Sequence, residues 1–182
     1  MWPHSKSILK AFPRELSHEL GGLMSATFVI DDHKYPLSDC FSVKLNSEAL
    51  KIPTRIYSGK VEGYELLPAL QKHLIDCLYT RHYNGYIREE NLKKTILLNE
   101  PWAVPYIVHL LGEPVIEIIQ VIDDNIDELD KKIYSTFINE NVSFYEKTKD
   151  RVASYWNCYH RHNCISKDDY VGFKVVKAFD SF

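Results

Sequence analysis

The chain has 182 residues, of which 45% are apolar and 26% charged, and its formal net charge is −3. This composition is typical of a globular protein that folds without disulfides or a metal, and we expect residues 1–182 to form a single domain. A slightly acidic chain without a basic stripe excludes the usual nucleic-acid-binding surface. The apolar runs are shorter than the ~20 residues of a membrane span, and the N-terminus lacks the apolar core of a signal peptide. We therefore expect a cytoplasmic protein that binds neither nucleic acid nor a membrane.

Residues 25–57 have the alternating pattern and the β-branched content of short strands, at 26–30, 41–45 and 50–57. Pro53 lies within the third segment and cannot donate a ladder hydrogen bond, so this segment is predicted to be an edge strand or to carry a bulge. The sequence therefore predicts a small N-terminal antiparallel β element, made of two short hairpins or of one sheet.

Beyond residue 57 the apolar residues recur with helical spacing, and the Asn84-Gly85 pair favours a turn between the first two helices. Helices are predicted at 64–79, at 87–98, between Pro101 and Gly112, and from Pro114 to about residue 126. The third of these is apolar on all sides, so we expect it to be the most buried.

A long last helix is predicted over residues 127–159, either separate from the preceding helix or continuous with it. The tail at 168–179 is rich in β-branched and aromatic residues, and we expect it to be a short strand or extended chain. The predicted fold class is thus mainly α (α+β). The small β element packs on a compact multi-helix part, residues 64–164, that has a long C-terminal helix.

One helix pair carries a family pattern, formed by Gly85, Ile87, Arg88, Leu92, Pro105, Tyr106, Leu110, Gly112, Pro114, Val115 and Ile119. This pattern, over residues 83–126, resembles a HEAT-type helical repeat. The resemblance implies two antiparallel helices with an arginine early in one of them, and a role as a protein-binding scaffold. No second copy follows at a fixed period, so we expect HEAT-like packing inside a compact domain and not an extended solenoid. Otherwise the chain resembles small bacterial proteins without an assigned activity.

The segment TRHYNGYIREEN, residues 80–91, places two arginines where apolar stripes continue. A buried guanidinium requires a carboxylate partner, and the candidates are Glu113, Glu117 and Glu140. The interpretation that we favour is a structural charge network that fixes how the helices pack. The alternative is an anion-binding or catalytic cluster made of His82, Arg81, Arg88 and Glu113.

A second chemically rich segment is WNCYHRHNC, which contains Cys158, His160, His162 and Cys164. Thiolates and imidazoles are the usual zinc ligands. On a helix, however, these four positions split into two opposed pairs, and on a strand they extend too far for one tetrahedral ion. We therefore predict no metal site in this segment. If the chain did bind a metal, these four residues would be the candidate ligands.

No nucleotide-binding or hydrolase motif is present, so no cofactor is expected. The 12 tyrosines favour a contact surface, because tyrosine is enriched at protein interfaces. We expect a non-enzymatic interaction or adaptor protein that binds another protein or a second copy of itself, such as one member of a toxin–antitoxin or immunity-like pair. The alternative is a small hydrolase or transferase that uses His82, Arg81, Arg88 and Glu113.

Overall fold

The computed structural model describes residues 8–26, 39–59 and 61–182, and in these residues the chain is mainly helical with one small N-terminal antiparallel sheet. The predicted fold class is therefore confirmed. Of the strand predicted at 26–30, residues 27–30 lie outside the described residues. The helices and strands follow the hydrophobic periodicity of the sequence, with the differences described below.

The sheet is a hairpin of β1 (Cys40–Leu45) and β2 (Glu48–Pro53). Its two-residue turn is Asn46-Ser47, and both residues have positive φ angles, 50° and 67°, as hairpin turns of this length require. Pro53 is the last residue of β2, where a missing N–H group interrupts no ladder. Past the sheet, Ile56 forms an isolated parallel bridge with His82, which brings the chain beside the 80–91 segment.

Eight α-helices are present in the part of the chain that the structure describes. They are α1 (Ser17–Ala26), α2 (Ala69–Tyr79), α3 (Gly85–Thr95), α4 (Val104–Leu110), α5 (Ile116–Asp124), α6 (Lys131–Glu140), α7 (Val142–Tyr155) and α8 (Val171–Phe179). Short 3₁₀ turns lie at Arg14–Leu16, Tyr64–Leu66, Ile126–Glu128 and Lys167–Asp169, and a π-helical turn, Trp156–His160, follows α7.

The helices enclose one hydrophobic core, to which the inward faces of β1 and β2 contribute. Helix α2 packs against α3, while α5 packs against both α3 and α8. All seven residues of α4 are buried, as its apolar sequence predicts. The Asn84-Gly85 pair is a helix cap and not a separate turn: the Asn84 side chain accepts a hydrogen bond from Tyr86 N–H at 3.0 Å, and Gly85 is the first residue of α3.

The predicted continuous helix over 127–159 is wrong, because the chain leaves helical geometry at Asn141, between α6 and α7. The Asn141 side chain bonds the sheet instead. Its Oδ1 accepts from Lys44 N–H at 2.7 Å, and its Nδ2 donates to the Lys44 carbonyl at 2.8 Å. These two hydrogen bonds satisfy backbone groups of an edge strand. They account for the break at Asn141 in a helix that periodicity alone would continue.

The predicted strand or extended chain at 168–179 is also wrong, because residues Val171–Phe179 form α8. Val171, Val175, Val176 and Phe179 are all buried there, which is helical spacing. Burial against α5 and α7 outweighs the β propensity of the valines. Among the described residues, no helix is both long enough and apolar enough to cross a membrane.

Candidate functional site: a carboxylate held by three arginines

The most densely bonded polar group of the described chain is the Glu113 carboxylate, which lies between α4 and α5 and is 2% exposed. Arg55 Nη2 donates to its Oε1 at 3.0 Å and to its Oε2 at 3.2 Å. Arg81 Nη2 donates to Oε1 at 3.2 Å, and Arg88 Nη2 donates to Oε2 at 3.0 Å. A single carboxylate therefore joins three segments that are distant in sequence.

Each arginine is positioned by the element that precedes or contains it. Arg81 follows α2, Arg88 lies in the first turn of α3, and Arg55 follows β2. Ile56 N–H donates to the Arg81 carbonyl at 2.8 Å, and Tyr83 N–H donates to the Ile56 carbonyl at 3.0 Å. These bonds hold Arg55 beside the other two arginines.

Of the three carboxylates predicted as partners, the structure selects Glu113. Glu140 accepts from the backbone N–H groups of Asn46 and Ser47, at 3.0 and 2.6 Å, in the hairpin turn. Glu117 lies on the exposed face of α5. The expectation that Arg81 and Arg88 each pair with a glutamate thus agrees with the observed contacts, through one shared residue.

His82 does not join the carboxylate through its ring. Its Nδ1 accepts a hydrogen bond from Asn84 N–H at 3.1 Å, which places the ring proton on Nε2, and Nε2 lies 2.9 Å from the Ser58 carbonyl that accepts it. The side chain is also 1% exposed. Both ring nitrogens are therefore engaged by the backbone, and neither has a free lone pair for a substrate proton.

The corner backbone is fixed by Arg88 as well. Its Nη1 donates to the carbonyls of His82 and Tyr83, both at 2.9 Å, while its Nη2 holds Glu113. One guanidinium thus ties the loop before α3 to the segment before α5. Such a planar fork has no equivalent in lysine.

A fourth arginine borders this cluster from α7. Arg151 Nη2 donates to Thr148 Oγ1 at 2.9 Å and lies 3.2 Å from His109 Nδ1. Burial lowers the pKa of His109 well below its ordinary value, and the charges of Arg81 and Arg151 add to the effect. His109 is thus a buried neutral histidine, as its position in an apolar helix predicts.

Gly112 permits this approach of α7. A Cβ atom at Gly112 would lie 2.6 Å from Arg151 Nε and 2.9 Å from Arg151 Cβ. Its φ angle is not positive, so the need for glycine here is steric and not conformational. The residue directly before Glu113 therefore sets how closely Arg151 can pack.

The cluster contains more positive than negative charge, and this shifts the pKa values of its members. Burial alone would raise the pKa of Glu113, but the charges of Arg81, Arg55 and Arg88 together lower it below its ordinary value. Burial lowers the pKa of Arg81 to about 9, with Arg55 and Arg88 adding to the effect against the attraction of Glu113. Both groups are therefore charged at pH 7.

Three buried guanidinium nitrogens have no hydrogen-bond partner among the described residues: Arg81 Nη1, Arg88 Nε and Arg151 Nε. Native proteins pair nearly all buried donors. Two of them, Arg81 Nη1 and Arg88 Nε, belong to side chains that contact Glu113, which makes this cluster the least satisfied polar region of the described core.

Sequence reasoning missed Arg55 and Arg151 as members of the cluster. Arg55 lies on the face of the 50–57 segment opposite Leu50 and Ile52, and that pattern alone assigns it to solvent. Arg151 lies on an apolar stripe of the long predicted helix, which is the same signal that identified Arg81 and Arg88. A charged residue on an apolar stripe was therefore the signal that could have identified Arg151, and no such signal marks Arg55.

The Cys and His side chains of the second candidate segment, residues 156–164, do not meet at one point. Cys158 and His162 are exposed, while His160 lies with its Nε2 3.0 Å from the Pro114 carbonyl and its ring stacked on Tyr170. The Cys164 carbonyl accepts a hydrogen bond from Trp156 Nε1 at 2.9 Å. In the described residues no group of three or more His, Cys, Asp or Glu side chains is placed to hold a metal ion.

Three tyrosines form the outer side of the corner, and we call Tyr57, Tyr83 and Tyr86 the tyrosine surface. The rings of Tyr57 and Tyr83 stack with their centroids 5.2 Å apart and their planes at 14°. Tyr83 is 56% exposed and Tyr86 is 85% exposed. Neighbouring exposed aromatic side chains can mark a protein-binding surface.

Comparisons of the chain with family models, curated proteins and solved structures found no match.

Proposed function

We propose that this chain is a non-enzymatic interaction protein that binds another protein, or a second copy of itself, through the tyrosine surface. The observation that carries the proposal is the exposure of Tyr83 and Tyr86 beside a buried charge cluster, whose Arg88 bonds the Tyr83 carbonyl. Tyrosine provides a large contact area at a low cost in side-chain entropy, and it is enriched at the centres of interfaces.

Rigidity supports this role. Arg88 Nη1 fixes the Tyr83 carbonyl from below, and Tyr57 stacks on the Tyr83 ring from the side. Asn84 caps α3 immediately before Tyr86. A surface that is already ordered loses less entropy on binding, so the same contacts give a higher affinity.

The geometry of His82 weighs against the alternative, a small hydrolase or transferase. A general base needs a free lone pair within reach of the proton that it removes. The Nδ1 of His82 accepts from Asn84 N–H, and its Nε2 faces the Ser58 carbonyl. Glu113 likewise accepts hydrogen bonds from three arginines.

The resemblance of residues 83–126 to a HEAT-type repeat is consistent with the same proposal, since such repeats serve as protein-binding scaffolds. Fold-level likeness is analogy, and the specific argument is the surface itself. A cytoplasmic adaptor, or one member of a toxin–antitoxin or immunity-like pair, is the role that we propose.

Photo-crosslinking tests the proposal. Tyr86 is replaced by p-benzoylphenylalanine, the protein is produced in its cell of origin, and crosslinked species are identified by mass spectrometry. The matched control carries the same group at Tyr159, which is 58% exposed on the π-helical turn. We expect one dominant adduct from position 86 that Tyr83→Ser abolishes. Equal, diffuse labelling from both positions would contradict the proposal.

A further inference from the structure

We propose that the guanidinium groups of Arg55, Arg81, Arg88 and Arg151, which we call the arginine cluster, bind a small oxyanion, a carboxylate or a phosphate, in addition to Glu113. This site is independent of the tyrosine surface and does not include the His82 ring. Three observations carry it: the excess of charge, the unpaired donors and the exposure of Arg55.

The first observation is charge. Three guanidinium groups contact one carboxylate, so two positive charges stay unneutralised around it. Arg81 is 0% exposed and Arg88 is 4% exposed. Like charges that are withdrawn from water repel one another strongly, and a bound anion removes that repulsion.

The second observation is the set of unpaired donors. Glu113 already accepts four hydrogen bonds, two from Arg55 and one each from Arg81 and Arg88. A carboxylate has about four lone-pair sites, so this acceptor is saturated. The donors left over are Arg81 Nη1, Arg88 Nε and Arg151 Nε, and they need an acceptor other than Glu113.

Arg81 carries the most deeply buried of these donors. The Arg81 side chain is fully buried; its Nε donates to the Thr80 carbonyl at 3.0 Å and its Nη2 donates to Glu113 at 3.2 Å. Because the guanidinium is planar, the unpaired Nη1 lies beside Nη2 and within the cluster. It is a buried donor without an acceptor among the described residues.

The third observation is access. The Arg55 side chain is 32% exposed, whereas those of Arg81 and Arg88 are 0% and 5% exposed. An anion from solvent therefore reaches Arg55 before it reaches Arg81 or Arg88. Planar N–H forks match carboxylates and phosphates alike, so the shared chemistry of the ligand is that of an oxyanion.

The test is calorimetric titration of the protein with sodium phosphate and, separately, with sodium malonate, at an ionic strength held constant with sodium chloride. Phosphate stabilises many proteins without binding them, so the variants decide the outcome. Arg55→Gln removes the exposed donor. Arg14→Gln is the matched control, since the Arg14 side chain is 92% exposed and forms an ion pair with Glu48 at 3.5 Å.

We expect saturable binding of at least one anion by the wild type and by Arg14→Gln, and binding at least tenfold weaker by Arg55→Gln. The anion that binds identifies the source as phosphate or carboxylate. Absence of saturable binding by both anions, or equal binding by Arg55→Gln, would overturn the proposal and assign the unpaired donors to buried water.

Glu113→Gln provides an independent arm that remains informative if Arg55→Gln fails to fold. It removes the one carboxylate that contacts these arginines among the described residues, so a bound anion would replace its charge. The melting temperature of Glu113→Gln should therefore rise more with the anion than that of the wild type. A rise that is equal or smaller contradicts an anion held by these arginines.

Discussion

The 80–91 corner and the 156–164 segment are equally rich in reactive side chains, yet they differ completely in three dimensions. Arg81 and Arg88 turn inward and meet Arg55 at a carboxylate from a third segment. Cys158 and His162 turn outward to solvent. The difference shows that side chains form a cluster where the burial pattern directs them to one point, and not where the sequence places them side by side.

The largest effect is expected for Glu113→Gln. The change keeps the shape of the side chain but removes the negative charge that Arg55, Arg81 and Arg88 contact. Breaking a buried charge pair costs about 3–5 kcal/mol, and we expect a loss in this range by urea denaturation. Glu117→Gln is the matched control, since Glu117 is exposed on α5, and it should change the stability by less than about 0.5 kcal/mol.

Gly112→Ala is expected to have the next largest effect. The added Cβ would lie 2.6 Å from Arg151 Nε, and the contact cannot relax freely because the Thr148 carbonyl is 3.2 Å away. Overpacking of this kind costs about 1–3 kcal/mol, which a denaturant melt would measure. Gly21→Ala, where a Cβ meets nothing within 4 Å, is the control. An Ala variant at 112 as stable as that control would show that Arg151 is free to move.

Acid should weaken the corner. The arginine charges hold the folded-state pKa of Glu113 below its ordinary value. The stability that this group contributes is therefore present above its unfolded-state pKa, and it is lost as the pH falls through the lower folded-state value. Urea melts at several pH values between 7 and 3 should show that the stability of the wild type falls with pH. Part of this fall should be absent in Glu113→Gln. An identical pH profile in both proteins would contradict the assignment.

The smallest effects are expected in the 156–164 segment. Cys158→Ser and His162→Ala change exposed side chains, so each should alter the stability by less than about 0.5 kcal/mol. A chelator should leave the melting temperature of the wild type unchanged. Stoichiometric zinc in the purified protein, lost together with stability on chelation, would refute this expectation.

The sequence predicts much of this corner, because a guanidinium on an apolar stripe has few alternatives to a buried carboxylate. The sequence leaves three candidate partners, Glu113 among them, because periodicity places Glu140 equally well. Only the structure shows that Glu140 binds the backbone of the hairpin turn instead. Arg55 is beyond sequence reasoning, because its position depends on the long-range bridge between Ile56 and His82.

The two errors in helix prediction have the same origin. Asn141 breaks the long helix because it bonds Lys44, which is 97 residues away in sequence. The valines of α8 become helical because α5 and α7 bury them. Local pattern and propensity are weak wherever a distant segment supplies the stabilising contact.

A double-mutant cycle between Arg88 and Glu113 tests the central claim, that the carboxylate organises the corner. Arg88→Ala should destabilise the wild type by about 3 kcal/mol, because it removes a buried ionic contact together with hydrogen bonds to the His82 and Tyr83 carbonyls. In the Glu113→Gln background the same change relieves repulsion among the arginines, so its cost should be smaller by at least about 1 kcal/mol. Equal costs in both backgrounds, within about 0.3 kcal/mol, would show that the two residues act independently and would contradict the account.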